Sequence, residues 1–217
     1  MKTHYALVSD FDGTITEDDF FTLISRRYFN KEMLAPWREY LAGRETHFNA
    51  LGAMFRQIRL PEAQLKKFIK KIHYDEGFVE AAALCKKKGI PVYIGSAGCD
   101  YYINVLIGRE IEKYGIKLIT NRSIYSKDTG LKMIAPRKNS PYYDEKIGIS
   151  KRSIVKRLHD SGYKVIFAGD GPPDIEPAKF ADVVFARKIL LRECRELGVK
   201  TKRFTSFENV LKFIRKL

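Results

Sequence analysis

At 217 residues, 45% of them hydrophobic, the chain is long enough to bury a sizeable core and is neither disordered nor fibrous. Its formal charge of +14 raises nucleic acid as a partner, yet the basic residues are scattered in short runs such as Lys66-Lys67 and Lys86 to Lys88. They read first as solvated helix faces, then as an aid to attracting phosphorylated ligands, and only last as a nucleic-acid surface. No apolar run approaches the roughly 20 residues that span a bilayer, and no secretion-type leader opens the sequence. The cysteines Cys85, Cys99 and Cys194 have no metal-type spacing, so the expectation is a cytoplasmic protein with reduced thiols and no zinc.

The run Tyr5 to Val8 predicts a short buried strand that ends at Asp10 and Asp12, two positions apart and followed by Gly13. Residues i and i+2 of an extended strand share a face, and two acids that close repel unless a cation sits between them. From about Asp18 to Ile72 the periodicity is helical throughout. Phe48, Leu51, Phe55 and Ile58 share one face, and Leu65, Phe68, Ile69 and Ile72 another, with Pro61 opening the latter helix. This predicts a small helical bundle whose aromatic stripe is its own core.

From Asp75 the pattern alternates between helix and strand, the mark of a parallel sheet with helices on its faces. A helix over Gly77 to Lys88 stops at Gly89, and the strand IPVYIGSAG follows. A helix near Tyr101 to Tyr114 leads to the strand GIKLIT, and SIYSKDTGLKMI reads as a hairpin turning at Asp128 to Gly130. Pro136 to Ser150 reads as a polar loop. A helix from Ser150 to His159 then feeds the strand KVIFAGD, followed by ADVVFA, a piece around Val199 to Phe204, and a closing helix capped by Thr205 with Glu208. The expected fold is α/β: a Rossmann-like parallel-sheet core over residues 1–16 and 74–217, carrying a β-hairpin, with a helical-bundle cap inserted over residues 17–73.

Ligands of parallel sheets gather at the carboxyl ends of the strands, and here those ends read DFDGT, GSAG and GDGPPD. Asp10, Asp12 and Asp170 converge if their strands are neighbours, and such carboxylates make a hard-oxygen site for Mg2+, with Asp174 four residues further on. Ser96, with the backbone at Ala97, can bond phosphate oxygens at a strand end. Lys151 opens a helix where one ammonium can neutralise a phosphate, and Lys146 competes for that part.

The order DxDGT, strand-end Ser, Lys, GDGxxD resembles the four motifs of the haloacid dehalogenase superfamily of phosphohydrolases across nearly the whole chain. The insertion after the first motif is similar to the cap of the branch that includes phosphoserine phosphatase. The resemblance implies a Mg2+-dependent phosphomonoesterase in which Asp10 is the nucleophile and Asp12 the general acid and base. It implies Ser96, Ala97 and Lys151 as phosphate holders, and Asp10, Asp12, Asp170 and Asp174 as the metal site. An aspartyl phosphate would form and be hydrolysed; the rival classes are a phosphomutase or phosphotransferase, and a basic nucleic-acid-binding module.

Against phosphoserine as the substrate, Asp19 stands where that branch has Glu, Ala97 where it has Gly, Pro173 where it has Asn, and Arg56 is displaced by about one position. The segment DIEPAKFADVVFARKILLRECRE, with ALGAMF in the cap, resembles the methionine-salvage phosphatases that act on a methylthio keto-enol pentenyl phosphate. Phe20, Phe48 and Met54 are then candidate cap contacts for a small phosphorylated metabolite, beside Asp19 and Arg56. A monomer or homodimer is expected.

Overall fold

The computed structural model describes residues 3–217. The chain opens with β1 (His4–Ser9) and continues through α1 (Phe20–Tyr28), α2 (Ala35–Leu41), α3 (His47–Phe55) and α4 (Glu62–Ile69). It then runs α5 (Glu76–Lys88), β2 (Val92–Cys99), α6 (Asp100–Tyr114), β3 (Lys117–Ser126), β4 (Gly130–Ile134), β5 (Tyr143–Asp144) and β6 (Gly148–Ile149). The last part is α7 (Lys151–Asp160), β7 (Tyr163–Gly169), α8 (Ile175–Phe180), β8 (Val183–Ala186), α9 (Lys188–Glu196), β9 (Thr201–Arg203) and α10 (Phe207–Arg215). No helix is long and apolar enough to cross a membrane among the described residues.

The sheet is seven-stranded, in the order β4-β3-β2-β1-β7-β8-β9, and parallel except for the β3–β4 pair. β1 lies inside it, and alternation along the strand supplies both faces. Leu7 joins the core shared with α5, α6 and α10, while Ala6 and Val8 join the core built with α7, α8 and α9. Both layers are apolar because a parallel strand covered on both sides has no polar face to keep.

The four helices after β1 do not keep a core to themselves. Phe20, Ile24, Leu51, Phe55, Leu65 and Ile69 are buried in one continuous cluster with Ile94, Tyr102 and Ile103 of the sheet layer. The chain leaves and rejoins this layer at one place, where Thr16 and Tyr74 form an isolated antiparallel bridge and the Asp75 amide donates to the Ile15 carbonyl at 2.8 Å.

Three local expectations change. The stretch expected as a loop from Pro136 contains the ribbon β5–β6, in which Tyr143 pairs with Ile149. GIKLIT and the first arm of the hairpin are one strand, β3, because the same backbone pairs with β2 and then with β4. The closing helix is capped by Ser206 with Asn209 rather than Thr205 with Glu208: the Asn209 Oδ1 accepts from the amides of Thr205 and Ser206.

Candidate active site

The parallel strands end at one edge, and their register brings the acids together. Ser9 pairs with Ala168, so Asp10 and Asp170 leave adjacent strands side by side. One carboxylate oxygen each from Asp10, Asp170 and Asp174 lies within 4.8 Å of the others. That is close to the separation of about 4.2 Å across a single octahedral ion with Mg2+-type bonds. All the donors are hard oxygens, so the set fits a divalent cation of that class.

Two ammonium groups share this floor. Lys151 Nζ is 2.6 Å from both Asp10 Oδ1 and Asp174 Oδ1, and Lys188 Nζ is 3.1 Å from Asp170 Oδ2. The second oxygen of Asp174 accepts from the amides of Asp170 (2.9 Å) and Gly171 (3.1 Å), which fixes the turn after β7. Burial, then the neighbouring Asp174 carboxylate, push the Asp10 carboxyl well above its ordinary value, while Lys151 works in the opposite sense. Burial and Asp174 raise Asp170 as well. Burial works to deprotonate Lys151, but the carboxylates of Asp10 and Asp174 outweigh it and hold the ammonium charged.

Gly13 makes the approach of these acids possible. Its φ is +72°, and a Cβ there would stand 2.3 Å from Asp170 Oδ2, so both the turn and the space need glycine.

The Asp12 carboxylate lies outside that group of three. β1 has ended at Ser9 and the chain is already turning, so the i, i+2 rule of an extended strand no longer applies. Its Oδ1 accepts from the Phe20 amide at 2.9 Å, capping the entry to α1. Its Oδ2 accepts from the Tyr102 hydroxyl and, at 3.5 Å, from Ser96 Oγ. Burial, with Asp19 adding to it, pushes the Asp12 carboxyl up to about 7, against the Tyr102 hydrogen bond. Tyr102 reaches this carboxylate only because residue 98 is glycine: a Cβ there would sit 1.7 Å from the Tyr102 hydroxyl oxygen.

Above the floor is a cavity of about 460 Å3. Asp10, Asp12, Ser96, Ala97, Lys151 and Asp170 form its base, and Phe21, Trp37, Tyr40, Leu41 and His47 from the inserted helices form its wall.

A family model for haloacid dehalogenase-like hydrolases matches residues 7–179. The chain belongs to this family. Over 220 aligned residues the hydrolase is 32% identical to a Geobacillus thermodenitrificans (strain NG80-2) protein named 2-hydroxy-3-keto-5-methylthiopentenyl-1-phosphate phosphatase, covering 100% of this chain and 98% of the relative. A protein of the same name from Brevibacillus brevis (strain 47) is 26% identical over 221 residues, with 100% and 98% covered. Among solved structures, a substrate-bound phosphoserine phosphatase complex has a TM-score of 0.71 at 22% identity, over 98% of this chain and 99% of that one. That likeness speaks for the fold. The hydrolase is thus an enzyme, a phosphatase of its family.

Of the residues singled out by sequence, Asp10, Asp12, Asp19, Ser96, Ala97, Lys151 and Asp170 line the cavity, and Asp174 lies buried beneath it. Lys146 is exposed in the turn of the β5–β6 ribbon, its amide donating to Asp144 Oδ1, and takes no part in the floor. The other cap candidates do not line the cavity. The Phe20 ring stacks on Tyr102 at 4.4 Å, Met54 is fully buried, Phe48 packs at the ribbon where its amide donates to the Lys146 carbonyl, and Arg56 is exposed at the end of α3.

Residues that no motif marked also line the cavity. Tyr102, Trp37, Tyr40 and His47 carry no sequence signal of a site, since each reads as an aromatic on a helix. Lys188 had one: it follows β8, and all the parallel strands of this sheet end at the same edge. Its Nζ also donates to the carbonyls of Gly13 (3.2 Å) and Glu17 (3.1 Å), while Arg187 donates to those of Gly13, Thr14 and Thr16. Together they pin the loop that carries the first acids.

Proposed function

We propose that this hydrolase is a Mg2+-dependent phosphomonoesterase for a small phosphorylated chain with an apolar end, the class to which 2-hydroxy-3-keto-5-methylthiopentenyl 1-phosphate belongs. One observation carries the choice of class. The only fixed cations lining the cavity, among the described residues, are Lys151 and Lys188, and both are paired with floor acids, while the wall is aromatic and aliphatic. A phosphate has its partners at the base, and a carboxylate further along the ligand meets no cation of its own. Arg56, the residue to which phosphoserine recognition would look, is at the far end of α3 and does not line the cavity. The full-length likeness to the keto-enol phosphatases supports the same reading.

In this reading residues 17–73 act as a cap over a core of 1–16 and 74–217, and Asp10, Asp170 and Asp174 hold the ion. Mg2+ bound there supplies positive charge against the phosphate and the departing oxygen. Lys151 occupies one oxygen of Asp10 and leaves the other free to attack phosphorus. As that P–O bond forms, the ester P–O bond breaks and the leaving oxygen takes a proton from Asp12, whose pKa near 7 suits both giving and taking. Water then attacks the phosphorus of the aspartyl phosphate, Asp12 takes its proton, and phosphate leaves with Asp10 restored. Ser96 Oγ, which accepts from the Gly98 amide at 3.0 Å, is held where its proton can reach a phosphate oxygen.

The test is phosphate release from the keto-enol ester and from phosphoserine, with Mg2+ and after EDTA. We expect kcat/KM to favour the keto-enol ester by about tenfold or more, with activity lost in EDTA and restored by Mg2+. A preference for phosphoserine overturns the substrate class, and full turnover in EDTA overturns the metal.

A further inference from the structure

His47 stands in the cavity wall at the first turn of α3, and the steps above give it no part. Its ring is set edge-on between two aromatic neighbours, 5.7 Å from Trp37 at 72° and 5.4 Å from Tyr40 at 82°. That packing fixes the plane of the imidazole. Of its two nitrogens, only Nδ1 is sealed off from water without a hydrogen-bond partner. Burial, with the charge of Lys151 adding to it, pulls the ring down to about 4, so it is neutral at neutral pH.

A neutral imidazole carries one N–H and one bare nitrogen. A sealed N–H without an acceptor is rarer and costlier than a sealed lone pair, so the proton belongs on Nε2, the nitrogen that is not shut in. Of the polar groups on the wall, this N–H is the one whose ring is held edge-on by two aromatic neighbours. Phosphate does not need it, having Lys151 and Ser96 at the base.

We propose that His47 is a specificity-determining residue: its Nε2–H donates to a carbonyl, enol or hydroxyl oxygen on the substrate's carbon chain, while Trp37 and Tyr40 hold the ring in place. This rests on the phosphomonoesterase reading and adds which part of the ligand the wall recognises. A chain with no oxygen at that position leaves the N–H unpaired in a desolvated pocket, which is how a hydrogen-bonding site rejects an analogue.

The experiment compares two esters of equal length, glycerol 1-phosphate, which bears hydroxyls, and propyl phosphate, which bears none. In His47→Phe, which keeps an aromatic ring against Trp37 and Tyr40, we expect the ratio of their kcat/KM values to fall about tenfold, mainly through KM. His47→Gln, which keeps an N–H donor, restores part of the ratio. An unchanged ratio in His47→Phe overturns the proposal and leaves the ring as packing. A second measurement needs no variant: nitrogen-15 spectra of the wild-type imidazoles should give the Nε2–H tautomer for His47 at neutral pH, and an Nδ1–H tautomer also overturns the proposal. A wild-type preference for phosphoserine over the keto-enol ester defeats the substrate reading alone, and the ester ratio and the tautomer still decide this one.

Discussion

At the base of the cavity the ionisable groups are paired: Asp10 and Asp174 share Lys151, Asp170 has Lys188, and Asp12 has Tyr102 and the Phe20 amide. On the wall, Phe21, Trp37, Tyr40 and Leu41 meet the same space with no charge at all, and Leu41 is 70% exposed at the rim. The base is anchored to strand ends inside a sheet, where each side chain has one backbone position from which it can act. The wall is a set of helix side chains for which bulk and apolarity mostly decide, so many residues would serve, with His47 as the polar exception. Chemistry fixes the first kind of surface, and shape fixes the second.

Asp10→Asn separates the two surfaces most sharply. The amide keeps the volume and Lys151 keeps Asp174 as a partner, so the fold should persist, but an amide oxygen is a poor nucleophile. Turnover should fall by about 10,000-fold or more, while ligand binding to the wall survives as a KM or inhibitor Ki near that of wild type. Steady-state phosphate release together with thermal unfolding checks both parts. A folded variant with full turnover would move the nucleophile away from the base.

A smaller effect lies in how the base responds to pH and metal. Asp10, Asp12 and Asp170 all hold their protons more tightly in the folded chain than the ordinary value of 3.8, with Asp12 up to about 7. The stability they lend is complete below about 4 and is lost as pH rises, through about 7 for Asp12, because ionising them in place strips buried carboxylates of water and sets them against neighbouring acids. Mg2+ binds the ionised form and should offset that loss. At 100 times its Kd the ion is worth about 2.7 kcal/mol, or roughly 5–10 °C in Tm for a chain of this size. Calorimetry with and without Mg2+ should give the larger shift at pH 7.5 and a smaller one at pH 5. Equal shifts at both would place the ion away from these acids.

The same contrast governs what the sequence makes legible. Asp10, Ser96 and Asp170 stand out because strand ends in a parallel sheet share one edge, while Lys151, at a helix start, and Asp174, four residues past Asp170, stand out through the family's motif order. Asp12 stands out as an acid, but the reading that it joins the metal acids assumes a strand that continues past Ser9, where the chain already turns. Tyr102 is 90 residues from Asp12, and nothing local announces their contact. Helical periodicity marks Phe55 as apolar-facing, and the resemblance marks Phe20 and Met54 as cap contacts, without saying whether the apolar partner is ligand or protein. Phe20 turns to Tyr102, Met54 is fully buried, and Phe55 reaches the cavity.

The smallest expected effect tests whether packing and wall are separable within one helix. Met54 and Phe55 are adjacent on α3; Phe55 lines the cavity and Met54 does not. Met54 is fully buried, with its sulfur 3.9 Å from Gln57 Nε2, which also donates to the Met33 carbonyl at 2.8 Å. Met54→Leu preserves the volume, so it should cost less than about 1.5 kcal/mol, read as a lowered urea midpoint, with KM for the keto-enol ester within about twofold of wild type. If KM moves further than the stability loss accounts for, α3 transmits packing changes to Phe55 and His47. The wall would then be tuned from behind by residues that never meet the ligand, and a substitution there would have to be judged by its effect on ring positions as well as on volume.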